Sequence, residues 1–92
     1  MEKYLIEVSH EATDSACLHA VNVFLSTGSH FLRQAEWGCH DGEHKAWLIV
    51  ELENKDQALQ IVPSLFRSYT KIVKLHTFTR AEMEKIGKYH TA

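Results

Sequence analysis

Proline is nearly missing from this chain, with one in 92 residues, and glycine is sparse at four. That excludes a linker or a low-complexity tract. Cysteine is also scarce: Cys17 and Cys39 are the only two, too few for the disulfide framework of a small secreted scaffold. There is no excess of positive charge, since 10 Lys and Arg stand against 12 Asp and Glu for a net charge of −2 with the histidines neutral. A nucleic-acid footprint built on phosphate neutralisation is therefore not expected. No apolar run approaches the roughly 20 residues that span a bilayer, so no membrane partner is expected either. A glycine-rich phosphate loop, a G-x-S-x-G elbow and a CxxC pair are all missing. The opening residues, Met1-Glu2-Lys3-Tyr4-Leu5-Ile6-Glu7, carry an acid at position 2 and no uninterrupted apolar segment. The expectation is a cytoplasmic protein with both thiols free.

What is present describes one compact domain over residues 1–92, because apolar residues make up 45%, charged residues 24% and aromatic residues 10% of the chain. Tyr4 to Ser9 alternates with period two and predicts a half-buried strand. A helix follows, with Thr13 as N-cap, Asp14 in its first turn, Cys17, Val21, Phe24 and Leu25 at helical spacing, and Gly28 at its left-handed end. The spacing predicts a second strand from about His30 to Cys39 and a third from His44 to Glu53, joined by a two-residue Asp41-Gly42 type I′ turn. Asn54 and Gln57 open a second helix in which Ala58, Ile61, Val62, Leu65 and Phe66 share a face. Pro63 imposes a kink there or a stop near Val62. Thr70 to Thr77 reads as the fourth strand, and the capping box Thr79-Arg80-Ala81-Glu82 opens a short helix ending near Ile86, before Gly87. The order β-α-β-β-α-β plus a terminal helix, with right-handed crossovers, predicts an α+β, ferredoxin-like fold. Its four-stranded antiparallel sheet has order 4-1-3-2 and two helices on one face.

The Asp41-Gly42 turn sets the faces of the hairpin. It pairs His40 with Glu43, Cys39 with His44, Trp37 with Ala46 and Glu36 with Trp47. Trp37, Ala46, Leu48 and Val50 then lie under the helices. The open face receives Glu36, Trp47, Ile49, Leu5 and Glu7, and on the fourth strand Ile72, Lys74 and His76 are placed there as the more polar set. This mixture of large apolar and charged groups is a patch that calls for a cover. Two copies packed open face to open face supply one and form a homodimer. The plainer alternative leaves Trp47 at a rim and the charges in solvent.

In this element order, the Glu36-Trp37-Gly38-Cys39 and Ala46-Trp47-Leu48-Ile49-Val50-Glu51 strands and the Phe78-Thr79-Arg80-Ala81-Glu82 ending resemble the dimeric α+β barrel proteins of ferredoxin-like fold. That group includes muconolactone-isomerase-like enzymes, antibiotic-monooxygenase-like enzymes and small nickel-binding proteins. The resemblance covers nearly all of the chain in element order. It is architectural and carries over no reaction and no active-site residue.

Three chemistries follow. In the first, Glu7, Glu36, Trp47, Lys74 and His76 line a cleft on the open face that binds, or transforms, a small ligand. Glu7 would have its pKa shifted near Lys74 or His76, and His76 would be the second proton-transfer group. The bland counterpart is a Glu7–Lys74 cross-strand ion pair. In the second, the alternative reading, three of the seven histidines gather at one end of the sheet. There His10, Cys39, His40 and His44 would bind nickel or zinc, although Cys39-His40-x3-His44 is no established zinc motif and turn histidines are commonly just polar. Cys17, on the apolar face of the first helix, reads as a packed, inert thiol. His19, His30 and His90 read as surface residues. The third chemistry, RNA binding on the open sheet, is opposed by Glu7, Glu36 and Glu51 on that face.

Overall fold

The computed structural model describes residues 1–89 of the chain, so His90 lies outside the described residues. Strand β1 (Glu2–Ser9) buries every second residue, Tyr4, Ile6 and Val8, while Leu5 and Glu7 face the other way. Helix α1 (Asp14–Ser26) starts where Thr13 Oγ1 accepts the Ala16 amide at 3.0 Å, and it sends Ala20 and Phe24 inward. Gly28, at φ +75°, turns the chain away from the helix end.

The segment expected to begin the second strand is helical instead. Ser29 accepts the Leu32 amide and caps a single turn, α2 (His30–Arg33), which buries Leu32 to 2% exposure. A cap followed by one inward apolar residue competes with the extended form, and burying Leu32 decides it. Strand β2 shrinks to Glu36–Trp37. Strand β3 (Lys45–Leu52) pairs with it in the expected register, Glu36 opposite Trp47 and Trp37 opposite Ala46.

The ladder then opens after Gly38, whose amide donates to Lys45 O at 3.0 Å. Asp41-Gly42 is not a two-residue type I′ loop, and the expected pairs His40–Glu43 and Cys39–His44 are not ladder pairs. Residues Cys39–Asp41 wind into a 3-10 turn, ended by Gly42 at φ +81° with its amide on Cys39 O. Gly38 O accepts both the Asp41 and the Glu43 amides at 3.0 Å, so the wider turn satisfies its own backbone without strand pairing.

Helix α3 (Lys55–Ile61) is capped by Asn54, which accepts the Gln57 amide at 2.9 Å. It stops at Val62, which is held extended by the proline that follows it, and a 3-10 segment, Ser64–Tyr69, carries Phe66 into the core. Strand β4 (Thr70–Leu75) and helix α4 (Arg80–Tyr89) complete the chain. The helix runs through Gly87 rather than ending before it, and Thr79 caps it by accepting the Glu82 amide at 3.1 Å.

All strand pairs are antiparallel and the sheet order is β2-β3-β1-β4, the expected order read from the other edge. Tyr4, Ile6, Val8, Ala46, Leu48 and Val50 meet Ala20, Phe24, Leu32, Ala58, Val62 and Phe66 in one core on one side of the sheet. The opposite face carries Leu5, Glu7, Trp47 and Ile49, and Ile49 is 58% exposed. On β4 the expected faces are reversed. Leu5 lies opposite Val73, and Ile6 opposite Ile72, which puts Val73 on the open face. Ile72 and Lys74 therefore sit on the helix-covered face, where Ile72 packs against the core.

Candidate metal centre

Three of the four residues expected to bind metal converge at the end of the sheet where β1 stops and β3 starts. The backbone brings the first two together: His10 N donates to His44 O at 3.1 Å, one step beyond the Ser9–Lys45 pair. Alternation then fixes direction. His10 follows Val8 and His44 precedes Ala46 at even spacing, so both project to the helix-covered side. The 3-10 turn brings Cys39 to the same place. One donor atom from each of His10, Cys39 and His44 lies within 4.8 Å of the others, and all three residues are half-buried. His40 is not among them, because it is exposed on the 3-10 turn.

The hydrogen bonds say how these donors are presented. His10 Nδ1 is 2.8 Å from Glu11 O, and a carbonyl can only accept, so Nδ1 carries the proton in a neutral ring. Nε2 is then a lone pair, aimed at Cys39 Sγ 3.1 Å away. A backbone carbonyl holding one ring nitrogen so that the other is free to donate electrons is how metal-binding histidines are oriented. His44 Nδ1 is buried and has no hydrogen-bond partner. An orphaned buried polar atom costs about 1–3 kcal/mol, a cost that coordination would remove. Burial, followed by the hydrogen bond and charge of Cys17, pushes the Cys39 thiol up to about 11. Without a cation, the thiol keeps its proton at neutral pH.

Cys17 is the residue that sequence reasoning missed. Its Sγ lies 2.6 Å from Cys39 Sγ, and both cysteines are half-buried. The signal was there: Cys17, Ala20 and Phe24 follow one inward stripe of α1, and the helix begins just after β1. Its first turns therefore overhang the sheet end that holds His10. Beside the cluster lies a hollow of about 500 Å³, with His10 in its wall along with Ala16, His19, Phe66 and Tyr69.

Of the five residues expected to line the open-face cleft, Glu7, Glu36 and Trp47 are neighbours there, while Lys74 and His76 do not join them. Glu7 Oε1 accepts from Trp47 Nε1 at 3.1 Å and lies 3.8 Å from Lys45 Nζ, so its cation is Lys45 and not Lys74. Glu36 is exposed opposite Trp47 on the edge strand. Lys74 pairs with Glu2 at 3.4 Å. His76, beyond the end of β4, bonds Glu82 at 2.5 Å and holds that carboxyl below its usual range. A smaller hollow of about 220 Å³ remains on the open face, between Leu5, Glu36, Trp47 and Ile49.

No family model, curated protein or solved structure matches the chain. Among the described residues no helix is long and apolar enough to cross a membrane.

Proposed function

We propose that this protein binds a divalent d-block cation, zinc or nickel, through His10 Nε2, the Cys39 thiolate and a ring nitrogen of His44, on a ferredoxin-like scaffold. The observation that carries the reading is the meeting of these three donors within 4.8 Å from three separate segments of chain. Two further facts support it. The His10 ring is held with its lone pair toward the cluster, and His44 Nδ1 is otherwise unsatisfied. Two imidazoles and a thiolate suit zinc and nickel and disfavour magnesium or calcium, which prefer oxygen ligands. Three protein donors leave one position of a tetrahedral zinc for an outside group.

The test is calorimetric titration of tag-free, chelator-stripped, reduced protein with zinc and with nickel. Saturable binding of one ion per chain is expected, lost in Cys39→Ser and in His44→Ala and kept in His40→Ala. Cobalt should give a thiolate charge-transfer band that Cys39→Ser removes. No saturable binding of any of these ions would overturn the reading.

The open face supports a second reading, a homodimer in which two sheets cover each other around a small-ligand cleft. The observation favouring it is Ile49, 58% exposed beside the hollow at Leu5 and Trp47. A monomer by light scattering at micromolar concentration would exclude that dimer.

A further inference from the structure

Cys39 belongs to two constellations at once. With His10 and His44 it forms the donor set, and with Cys17 it forms a thiol pair 2.6 Å apart. The spacing discriminates between two uses of that pair. Two thiolates bound to one tetrahedral zinc, each about 2.3 Å from the ion, stand roughly 3.8 Å apart. Two sulfurs in a disulfide stand about 2.05 Å apart. Cys17 and Cys39 are thus about 0.6 Å from bonding distance and more than 1 Å too close to be co-ligands. The two residues are 22 positions apart and lie on different elements, α1 and the 3-10 turn, so the contact is a product of the fold and not of neighbouring sequence.

We propose that Cys17 and Cys39 are a redox couple whose closure into a disulfide withdraws Cys39 from the donor set and releases the cation. The oxidant is a low-molecular-weight disulfide such as oxidised glutathione. One cysteine thiolate attacks a sulfur of that disulfide and expels a glutathione thiolate, leaving a mixed disulfide on the protein. The second cysteine thiolate attacks the protein sulfur of that mixed disulfide and expels the other glutathione. Two electrons pass from the protein to the oxidant, the two cysteine protons end on the two glutathione thiols, and the Cys17–Cys39 bond is the one bond formed in the protein. A sulfur in a disulfide is no longer a thiolate ligand, so His10 and His44 are left without their anionic partner. Cys17 is the switching residue and not a ligand: it acts on the cation only through Cys39. The release step rests on the proposed metal binding, whereas the closure step does not.

The experiment has two arms. Reduced, metal-free protein is incubated with a series of glutathione and oxidised glutathione mixtures, quenched by alkylation and weighed intact. The expected species is a monomer two hydrogens lighter with neither cysteine alkylated. It should be missing from Cys17→Ser and from Cys39→Ser, which stop at mixed disulfides with glutathione. Both thiols staying alkylatable in excess oxidant, or only mixed and intermolecular disulfides in the wild type, would overturn the proposal, and this arm stands whether or not any metal binds. In the second arm, zinc-loaded protein is oxidised in the presence of a chromophoric chelator. Release of one zinc per disulfide is expected in the wild type, whereas Cys17→Ser binds zinc like the wild type when reduced, forms no internal disulfide under the same oxidant, and loses zinc only in step with the addition of one glutathione to Cys39. Zinc retained by the fully oxidised wild type, or lost from reduced Cys17→Ser as completely as from Cys39→Ser, would overturn the assigned division of roles.

Discussion

Replacing Gly38 by alanine should damage both the fold and the candidate metal centre. The backbone there has φ −97°, open to any residue, so the objection to a side chain is one of space alone. A Cβ at Gly38 would stand 2.7 Å from Trp47 Cζ3, 2.8 Å from Glu43 O and 2.9 Å from Glu43 Cβ. Carbon contacts are favourable only at about 3.5–4.0 Å, so either the indole or the turn must move. The turn is poorly placed to yield, because Gly38 O accepts from Asp41 and Glu43 and Gly38 N donates to Lys45 O. Overpacking of this kind costs about 1–3 kcal/mol, and one lost backbone hydrogen bond adds about 1. A total near 3 kcal/mol corresponds to a melting temperature lower by roughly 12–24 °C for a domain of this size. Circular-dichroism melts of reduced, metal-free protein measure it, with Gly42→Ala as the comparison. That glycine has nothing within 4 Å of a would-be Cβ and carries only the left-handed backbone at φ +81°, worth about 1–2 kcal/mol. Zinc affinity should fall with Gly38→Ala, since the same turn carries Cys39 and leads into His44. A Gly38→Ala protein as stable as Gly42→Ala, with wild-type zinc affinity, would refute the steric reasoning.

Three other outcomes are expected. Phe24→Ala should cost about 3–5 kcal/mol in urea titration, because Phe24 is 1% exposed and packs on Trp37 and Phe66 at centroid distances of 5.0 and 5.9 Å. Thr13→Ala, which removes the α1 cap, should cost about 1 kcal/mol by the same assay. In reduced, metal-free protein the Cys39 thiol lies at about 11 when folded, above its ordinary value of 9.0. The folded state then holds the extra proton, so the stability this group contributes is complete below pH 9.0 and lost as pH rises toward about 11. Denaturant midpoints measured across that window should fall in the wild type and flatten in Cys39→Ser.

Locally encoded features were legible. Thr13, Asn54 and Thr79 cap helices as their side-chain chemistry and spacing indicate, and Pro63 ends α3 where its ring requires. The register of β2 on β3 agrees with the expectation although the two-residue turn it was counted from is not formed, and what holds it is that a shift of one residue would turn Trp37 and Ala46 away from the core. The β2–β3 connection was not. Asp41-Gly42 favours a tight turn in isolation, but Gly38 O collects two amides and makes a wider one self-sufficient. The face of β4 was ambiguous from the start, since Ile72 and Val73 are adjacent and either can face the core. Only pairing with β1, Ile6 to Ile72, decides it. The donor cluster was legible to the extent that strand ends were: His10 and His44 follow from the sheet order. Cys17 was hidden because a small thiol on an inward helical stripe looks like any other core residue until the helix is set over the sheet end.

The two tryptophans, finally, stand on opposite sides of one sheet and have different neighbours. Trp37 lies 6.1 Å from the His10 ring and 5.0 Å from Phe24, whereas the Trp47 indole is tied to Glu7 on the other face. The molecule is thereby equipped with two separate optical probes. In a Trp47→Phe protein the remaining emission reports charge and oxidation state at the histidine–cysteine end. In a Trp37→Phe protein it reports whatever comes to lie against the bare face. Events on the two sides can be followed separately, one variant for each, without attaching a label.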